Sequence, residues 1–360
     1  MHDKRPLPDT LLFMKPSAAR LLIFVALIFV QFASTDAMAA SDTAELAKEV
    51  AADAKLSELQ LFVENDKWAG TDRNYTNGFK VGVGVKLGLF EDLLKDSSGW
   101  MLNLLSDPAA NTEFGLFGGQ NLYTPRTITI STPQPFDRPW AAWLYLGGIA
   151  QHATDSTLDT VEADVGVVGP VALGRQIQTQ WHRLIGVNRP RGWDNQNPTE
   201  AAFLVGYLHK HRYGNDNFDF VPHYGATVGT VMTLARAGGI VRVGQHMTGF
   251  GPDGIEPGGA MLQGTRHEQE HDQNFEWYVF AGADYRLVAR NIFLDGTVFH
   301  DSPSVDRRTG VHDLTRGFSL RYGQLRFSLT RVRRSEEFAT PRGGGGGQTF
   351  DSFNIGFEFN

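Results

Sequence analysis

The sequence contains no cysteine, which excludes a disulfide framework and any thiol chemistry. It also lacks an excess of positive charge, because 33 Lys and Arg residues are outnumbered by 40 Asp and Glu residues and the net charge is −7. No basic block stands out, so we expect no nucleic-acid partner. Beyond the N-terminal region no segment stays apolar for 18 residues, which excludes a membrane-spanning helix there.

The first 39 residues predict a signal peptide. Basic residues precede the apolar run "LLIFVALIFVQFA", whether translation starts at Met1 or at Met14. The run is about 13 residues long, too short for a spanning helix, which needs roughly 20. The small residues Ala37 and Ala39 then form an A-x-A cleavage pattern. We therefore expect an exported chain.

Residues 40–57 form an acidic lead-in, and the rest of the chain alternates apolar and polar residues. Such alternation, with one apolar face, is typical of a strand. It is clearest in four stretches of the sequence: 161–167, 275–287, 318–329 and 353–359.

A soluble β-sandwich and a transmembrane barrel would both show this alternation. Export without cysteine, aromatic residues on the apolar faces and 40 glycines favour the barrel. The Phe-rich end of the chain resembles the C-terminal assembly signal of outer-membrane proteins, although the last residue is Asn360 and Phe359 is penultimate. The predicted fold is all-β, a transmembrane antiparallel β-barrel over residues 58–360.

Counting strands from the periplasm brings three connections together at the outer rim. The first six predicted strands are 58–66, 77–88, 112–123, 140–152, 159–169 and 200–212. The rim connections are the loop within "ENDKWAGTDRNYTNG" (64–78), the stretch 124–139 and the long stretch 170–198.

The third connection predicts a short helix within "VALGRQIQTQWHRLIG" (171–186). Its apolar residues recur at helical spacing and share one face: Ile177, Trp181, Leu184 and Ile185. Gln178 and His182 are four residues apart and share another face. From periodicity alone, His182 is either a residue packed against the rim or a candidate general base.

Taken together, these stretches resemble the outer-membrane lipid A 3'-O-deacylases. The resemblance lies in "ENDKWAGTDRNYTNG", "GQNLYTP" (119–125), "DRPW" (137–140) and "GRQIQTQWHRLIG" followed by "GWDNQ", and it covers essentially the whole mature chain. It implies a twelve-stranded barrel in the Gram-negative outer membrane, with a calcium-dependent esterase site near the outer leaflet. That enzyme class removes the 3'-linked acyloxyacyl chain from the lipid A of lipopolysaccharide. We expect a monomer.

The resemblance also implies roles for individual residues. Asp66 would bind the calcium ion, with Asn65 beside it in the site. His182 would be the general base that activates water. Thr76 and Gln178 would position the substrate or the water.

The backbone around 72–78 would complete the metal shell or the oxyanion hole. The loop 124–139 contains no lysine, so a lysine contact of the family would be absent or replaced by Arg126 or Arg138. Strand parity puts Asp66 opposite the lipid-facing residues and Asn65 on their side, so the end of the first strand must twist or bend.

The chemistry of the first loop agrees with these roles. Calcium takes six to eight oxygen ligands, and the loop is rich in carboxylates, amides and hydroxyls. A bound calcium ion would act on the ester as a Lewis acid, and a histidine base contributes roughly 10²–10⁴-fold. The chain has no G-x-S-x-G elbow. Direct attack by the Thr76 hydroxyl is the alternative to activated water.

Three other motifs are predicted to be structural. "HEQEH" (267–271) fits H-E-x-x-H but lacks an apolar helical stripe, so we expect a solvated periplasmic loop. "GFGPDG" (249–254) has no βαβ context and predicts a loop. "RVRRSEE" (331–337) predicts the charged outer end of the eleventh strand, which would either meet lipid A phosphates or be solvated.

Two rival functions remain from the sequence. One is a non-catalytic porin-like or adhesin barrel, whose lumen would conduct ions. The other is an outer-membrane phospholipase with a serine nucleophile.

Overall fold

The structure is a computed structural model that describes four stretches of the chain: 55–86, 111–252, 275–341 and 345–359. The predicted signal peptide and the "HEQEH" motif lie outside the described residues. Among the described residues, no helix is both long and apolar enough to cross a membrane.

Twelve antiparallel strands close into a barrel, as predicted. The strands are β1 (Lys55–Asn65), β2 (Asn74–Lys86), β3 (Asn111–Thr124), β4 (Ala141–Ala153), β5 (Thr157–Val168), β6 (Glu200–His211), β7 (Phe218–Gly229), β8 (Met232–Gln245), β9 (Phe275–Asn291), β10 (Gly310–Tyr322), β11 (Leu325–Arg334) and β12 (Gln348–Glu358). Each strand pairs with its neighbours in sequence, and β12 pairs with β1 to close the ring. The six predicted strands agree with these bounds to within three residues.

Two α-helices, three 3₁₀ turns and three very short strands complete the described structure. The helices are α1 (Gly174–Leu184) and α2 (Ile292–Asp295). Tyr213–Gly214 extends the sheet beside β7, and Asp306–Arg307 pairs with Phe338–Ala339. The motif at 249–252 is irregular, as predicted, within the part that the structure describes.

Side chains alternate between the two faces of the wall along every long strand. In β9, Trp277 and Val279 are exposed on the outer face, whereas Glu276 and Tyr278 are buried inside. Many of the buried charges are paired; Glu276, for example, lies 3.1 Å from Arg321. An apolar outer face with a polar, paired interior is the arrangement expected of a barrel that contacts lipid.

Strand register aligns the outward residues of β1, β12, β11 and β10 in rows. Three successive rows are apolar: Leu59–Phe357–Leu325–Tyr322, Leu61–Ile355–Phe327–Leu320 and Val63–Phe353–Leu329–Phe318. The next row towards the rim is polar: Asn65–Asp351–Arg331–Arg316. An outward arginine is costly at the middle of a bilayer and nearly neutral at its surface. The polar row therefore marks the outer edge of the apolar band on this side of the barrel.

An apolar plug fills the barrel interior near the rim. The chain folds inward at α2, where Ile292 and Phe293 are fully buried. The Phe293 ring stacks on Tyr123 of β3 with 3.9 Å between centroids and packs near Trp143 of β4. These residues belong to one core cluster that takes members from nearly every strand. Such a plug argues against an open, porin-like lumen.

The plug predicts that a substitution at Phe293 of α2 strongly lowers the stability of the barrel. Phe293→Ala should lower the free energy of unfolding by about 3–5 kcal/mol, because it leaves a cavity among packed aromatic rings. Denaturant titration of the refolded barrel, followed by tryptophan fluorescence, measures this change. The matched control is Phe299→Ala in the loop after α2, where the side chain is 73% exposed and little change is expected. Equal unfolding midpoints for the two variants would contradict the plug.

Candidate functional site

The candidate site is a cavity of about 460 Å³ between α1 and the outer face of the wall. The strands β1 to β3 contribute Val63, Asn65, Thr76, Asn77, Phe79, Gln120 and Leu122. Helix α1 and the residue after it contribute Ile177, Gln178, Trp181, His182 and Ile185. Lys67, Trp68 and Asp72 of the first rim loop complete the lining. The two predicted rim connections therefore do meet, and they meet outside the barrel.

Short contacts hold α1 against the wall. The outward side chain of Gln120 donates from Nε2 to the carbonyl of Ala172 at 2.6 Å, just before the helix begins. Gly174 opens the helix where any Cβ would lie 2.6 Å from Trp193 and from Ala142. Only glycine allows this approach, so the sequence of the helix start fixes its distance from β4.

Helix α1 has its polar face towards the protein and its apolar face outward. Gln178 and His182 are each only 4% exposed. Trp181 and Leu184 are 44% and 77% exposed, the reverse of a helix on a water-soluble protein. The predicted faces are confirmed, and the structure adds their direction. The inversion suits a helix whose outer side contacts lipid rather than water.

Asp66 is fully buried at the point where β1 ends. Its Oδ2 accepts hydrogen bonds from the Thr71 hydroxyl and the Arg73 backbone N–H, both at 2.7 Å. Its Oδ1 accepts from the Thr76 hydroxyl at 3.1 Å. Burial raises the pKa of Asp66 to about 7, against the opposing effect of these hydrogen bonds. Asp66 does not line the cavity itself and lies behind Thr76.

A β-bulge places Thr76 in the site. The register between β2 and β3 shifts between Tyr75 and Asn77, so Thr76 is an extra residue without a partner across the ladder. Tyr75 packs inside the barrel against Tyr123, whereas Thr76 and Asn77 both line the outer cavity. Simple alternation could not predict this arrangement. The bend predicted after Asn65 is also present, because a 3₁₀ turn (Lys67–Ala69) follows Asp66.

Asp72 is the site residue that sequence analysis missed as a side chain. Its Oδ1 lies 3.1 Å from the Thr76 hydroxyl. Its Oδ2 lies 3.5 Å from His182 Nε2 and 3.8 Å from Lys67 Nζ. Asp72 therefore connects Thr76, which also contacts Asp66, to the histidine. The only sequence signal was a second acidic residue in the loop.

The orientation of His182 is set by a backbone carbonyl. His182 Nδ1 lies 2.5 Å from the carbonyl oxygen of Asn188. A carbonyl only accepts, so Nδ1 carries a proton, and in the neutral ring Nε2 is then the proton acceptor. Nε2 faces Asp72, which would stabilise the positively charged ring that forms when Nε2 takes a proton.

Trp193 fixes the amide of Gln178. The indole Nε1 of Trp193 donates to Gln178 Oε1 at 2.8 Å, and an indole nitrogen can only donate. The oxygen of Gln178 must therefore face Trp193, and its NH₂ group is turned the other way. Gln178 Nε2 is buried and has no hydrogen-bond partner among the described residues. Gln178 Nε2 is therefore an unused hydrogen-bond donor on a residue that lines the cavity.

The side chains around Thr76 suit a hard cation. When Asp66 and Asp72 are both ionised, one hydroxyl proton cannot serve both, so two carboxylates converge on a single donor. A cation that binds oxygen would relieve this shortage of positive charge, and calcium takes such ligands. Within the described residues no group of three or more His, Cys, Asp or Glu is placed to hold a metal. A calcium ion would therefore also need hydroxyl, amide or backbone oxygens, as of Thr76 and Asn65.

The arginines proposed to replace a family lysine lie elsewhere. The Arg138 guanidinium is buried 4.9 Å from the Tyr123 ring and 3.2 Å from Glu337, on the inner side of the wall. Arg126 does not line the cavity either. The cation that does line it is Lys67, which comes from the first rim loop. The four predicted catalytic residues Asn65, Thr76, Gln178 and His182 all line the same cavity.

Comparison with known proteins gives one family match. A family model described as "Outer membrane protein LpxR" matches residues 21–359. Among solved structures, LpxR from Salmonella typhimurium has a TM-score of 0.66 and 22% sequence identity, covering 84% of this chain and 100% of its own. The translocator domain of the autotransporter NalP from Neisseria meningitidis has a TM-score of 0.39 and 10% identity, covering 95% of this chain and 100% of its own. No curated protein matches the sequence.

The position of Thr76 between two carboxylates predicts a stability effect. In metal-free protein, Thr76→Val should lower the free energy of unfolding by about 1–3 kcal/mol, because it keeps the shape but leaves buried acceptors without a donor. Thr76→Ser keeps the hydroxyl and should stay close to wild type. Denaturant titration in the presence of a chelator measures both. A valine variant as stable as wild type would show that the hydroxyl does not separate the two carboxylates.

Proposed function

The chain belongs to the LpxR outer membrane protein family, and from that premise we propose that it is a carboxylic ester hydrolase acting on lipid A. The ester cleaved would be the one that holds the 3'-linked acyloxyacyl chain. The chain lies in the outer membrane of a Gram-negative cell, where lipopolysaccharide forms the outer leaflet.

One observation carries the proposal: a mainly apolar cavity that also presents a histidine and other polar side chains lies on the lipid-facing side of the wall, at the edge of the apolar band. Asn65 lines the cavity and stands in the first polar row above Val63. The ester of a membrane lipid sits at the same depth, between acyl chains and headgroup. Phe79 and Trp181 give the cavity apolar sides that suit an acyl chain.

The residues of the cavity support a reaction by activated water. His182 Nε2 takes a proton from water as the oxygen attacks the ester carbonyl, and Asp72 stabilises the charged ring. The same nitrogen then returns the proton to the sugar oxygen as the acyl–oxygen bond breaks. The products are a fatty acid and a free 3'-hydroxyl, and the histidine is unchanged. Base catalysis of this kind contributes roughly 10²–10⁴-fold.

Gln178 and Lys67 supply positive character to the same cavity. Gln178 Nε2 donates to the carbonyl oxygen of the ester, whose negative charge grows in the transition state. The Nζ of Lys67 lies 3.8 Å from Asp72 and places a cation at the end of the cavity where the lipid headgroup would lie. Calcium would be held by Asp66, Asp72, Thr76 and Asn65. When bound, calcium supplies Lewis-acid stabilisation of charge on the carbonyl.

The rival functions find less support. The apolar plug at α2 is unlike the water-filled lumen of a porin. For a phospholipase with a serine nucleophile, the described cavity lining offers no serine. Attack by the Thr76 hydroxyl is also disfavoured, because that hydroxyl is bonded between Asp66 and Asp72.

The mechanism predicts which residues and conditions abolish activity. His182→Gln and Asp66→Asn should each lower the rate by at least about 100-fold, because one removes the base and the other the buried carboxylate of the cation site. The assay incubates refolded protein with lipid A in detergent, with calcium or a chelator, and reads acyl loss by mass spectrometry.

The control for that assay is His312→Gln, an exposed histidine on β10, which should match wild type. A rate in chelator equal to that with calcium, or a His182→Gln variant as fast as wild type, would contradict the mechanism. Release of an acyl chain from phospholipid but not from lipid A would favour the phospholipase.

Trp193 should act through Gln178 and not through the fold alone. Trp193→Phe removes only the indole donor, so the Gln178 amide is free to flip and kcat should fall roughly tenfold with KM little changed. Gln178→Glu keeps an acceptor for Trp193 but loses the NH₂ donor, and should lower kcat further. Steady-state kinetics on lipid A with circular dichroism as a folding control measure both. A rise in KM alone would assign Gln178 to ground-state binding instead.

A further inference from the structure

Three outward-facing arginines stand together on β10 and β11, beside the candidate site. Arg331 lies directly opposite Arg316 in the ladder, and Arg333 lies two residues further towards the rim on the same face. On its other side, Arg331 lies opposite Asp351 of β12, and Asp351 lies opposite Asn65 of β1. Arg316 and Arg331 belong to the polar row that marks the edge of the apolar band, and Arg333 lies in the next row towards the rim, opposite Leu314.

Among the described residues, the positive charge of this group is balanced at only one of the three arginines. Asp351 binds Arg331 through two hydrogen bonds of 2.7 and 2.8 Å. Neither Arg316 nor Arg333 has an acidic partner in the described part of the chain. Like charges directly opposite one another in a sheet are destabilising. Two cationic side chains at a lipid-facing boundary therefore have no counterion within the described stretches of the chain.

We propose that Arg316, Arg331 and Arg333 bind a phosphate group of the substrate glycolipid while its ester lies in the cavity. Guanidinium groups bind phosphate through paired, charge-assisted hydrogen bonds. Asp351 holds the Arg331 fork in place and leaves Nη1 to donate. The phosphate supplies the missing counterion for the other two.

The distance between the cavity and the three arginines suits a headgroup that bridges them. Neighbouring strands are about 4.8 Å apart, so the Arg331 backbone is roughly 10 Å from that of Asn65 and the Arg316 backbone roughly 14 Å. This separation is comparable to the length of a disaccharide. The inference rests on the proposed function, since it assigns the phosphate to the substrate of the same site.

The test compares one double variant with a control matched in charge. Arg316→Gln/Arg333→Gln removes the two unbalanced cations. Lys55→Gln/Arg308→Gln removes two cations from exposed positions, one at the far end of β1 and one in a rim loop. Native mass spectrometry in detergent measures binding of bisphosphorylated lipid A and of the same lipid after enzymatic dephosphorylation.

The arginine variant should bind the bisphosphorylated lipid about tenfold more weakly than wild type, and higher salt should reduce wild-type binding. Binding of the dephosphorylated lipid should be the same in all three proteins. Equal binding of bisphosphorylated lipid by the arginine variant and wild type would overturn the proposal. So would equal competition by phosphatidylglycerol, because the group would then be a general phospholipid anchor.

The same samples separate this inference from the proposed function. The binding measurement does not depend on hydrolysis. Phosphate-dependent binding without acyl release would leave the arginine site standing and overturn the esterase. Acyl release with the same KM in the arginine variant and wild type would leave the esterase and overturn the arginine site.

Discussion

The edge of the apolar band is the constraint on which the rest of this structure depends. On β1 the outward residues change from Val63 to Asn65, and the strand ends there. The chain then turns, so that Asp66 is buried against the next strand and is not exposed to lipid. Lipid esters lie at this depth in a bilayer. The wall and the site therefore share one boundary, set by the hydrophobic effect and not by any single contact.

Helix α1 belongs to the same boundary. It covers the wall with Gln178 and His182 and presents Trp181 and Leu184 outward. On a water-soluble protein such a helix would bury its polar face and expose its apolar face to water, which is unfavourable. At the surface of a bilayer both faces are satisfied, because lipid takes the apolar side and the rim loops take the polar side. In the proposed function, a lipid substrate would then reach the histidine sideways from the leaflet without leaving the membrane.

Much of this could be predicted from the sequence, because alternation and helical spacing report directly which side chains share a face. Strand bounds, the helix faces and the meeting of Asn65 with His182 at the rim follow from those periods. The bulge at Thr76 could not be predicted, since one extra residue leaves no periodic signal. The role of Asp72 depends on distances between loops, which composition does not contain.

The central claim is that the cavity opens to lipid beneath an inverted helix. Because the chain has no cysteine, a single spin label at Leu184→Cys can report its surroundings after reconstitution in bilayers. Two reference labels are used: Val165→Cys on the outer wall reports a lipid environment, and Phe299→Cys in the loop after α2 reports water. Collisions with oxygen should exceed those with a water-soluble nickel chelate at Leu184, as at Val165. A Leu184 label that behaves like the one at Phe299 would place the helix in water and contradict the account.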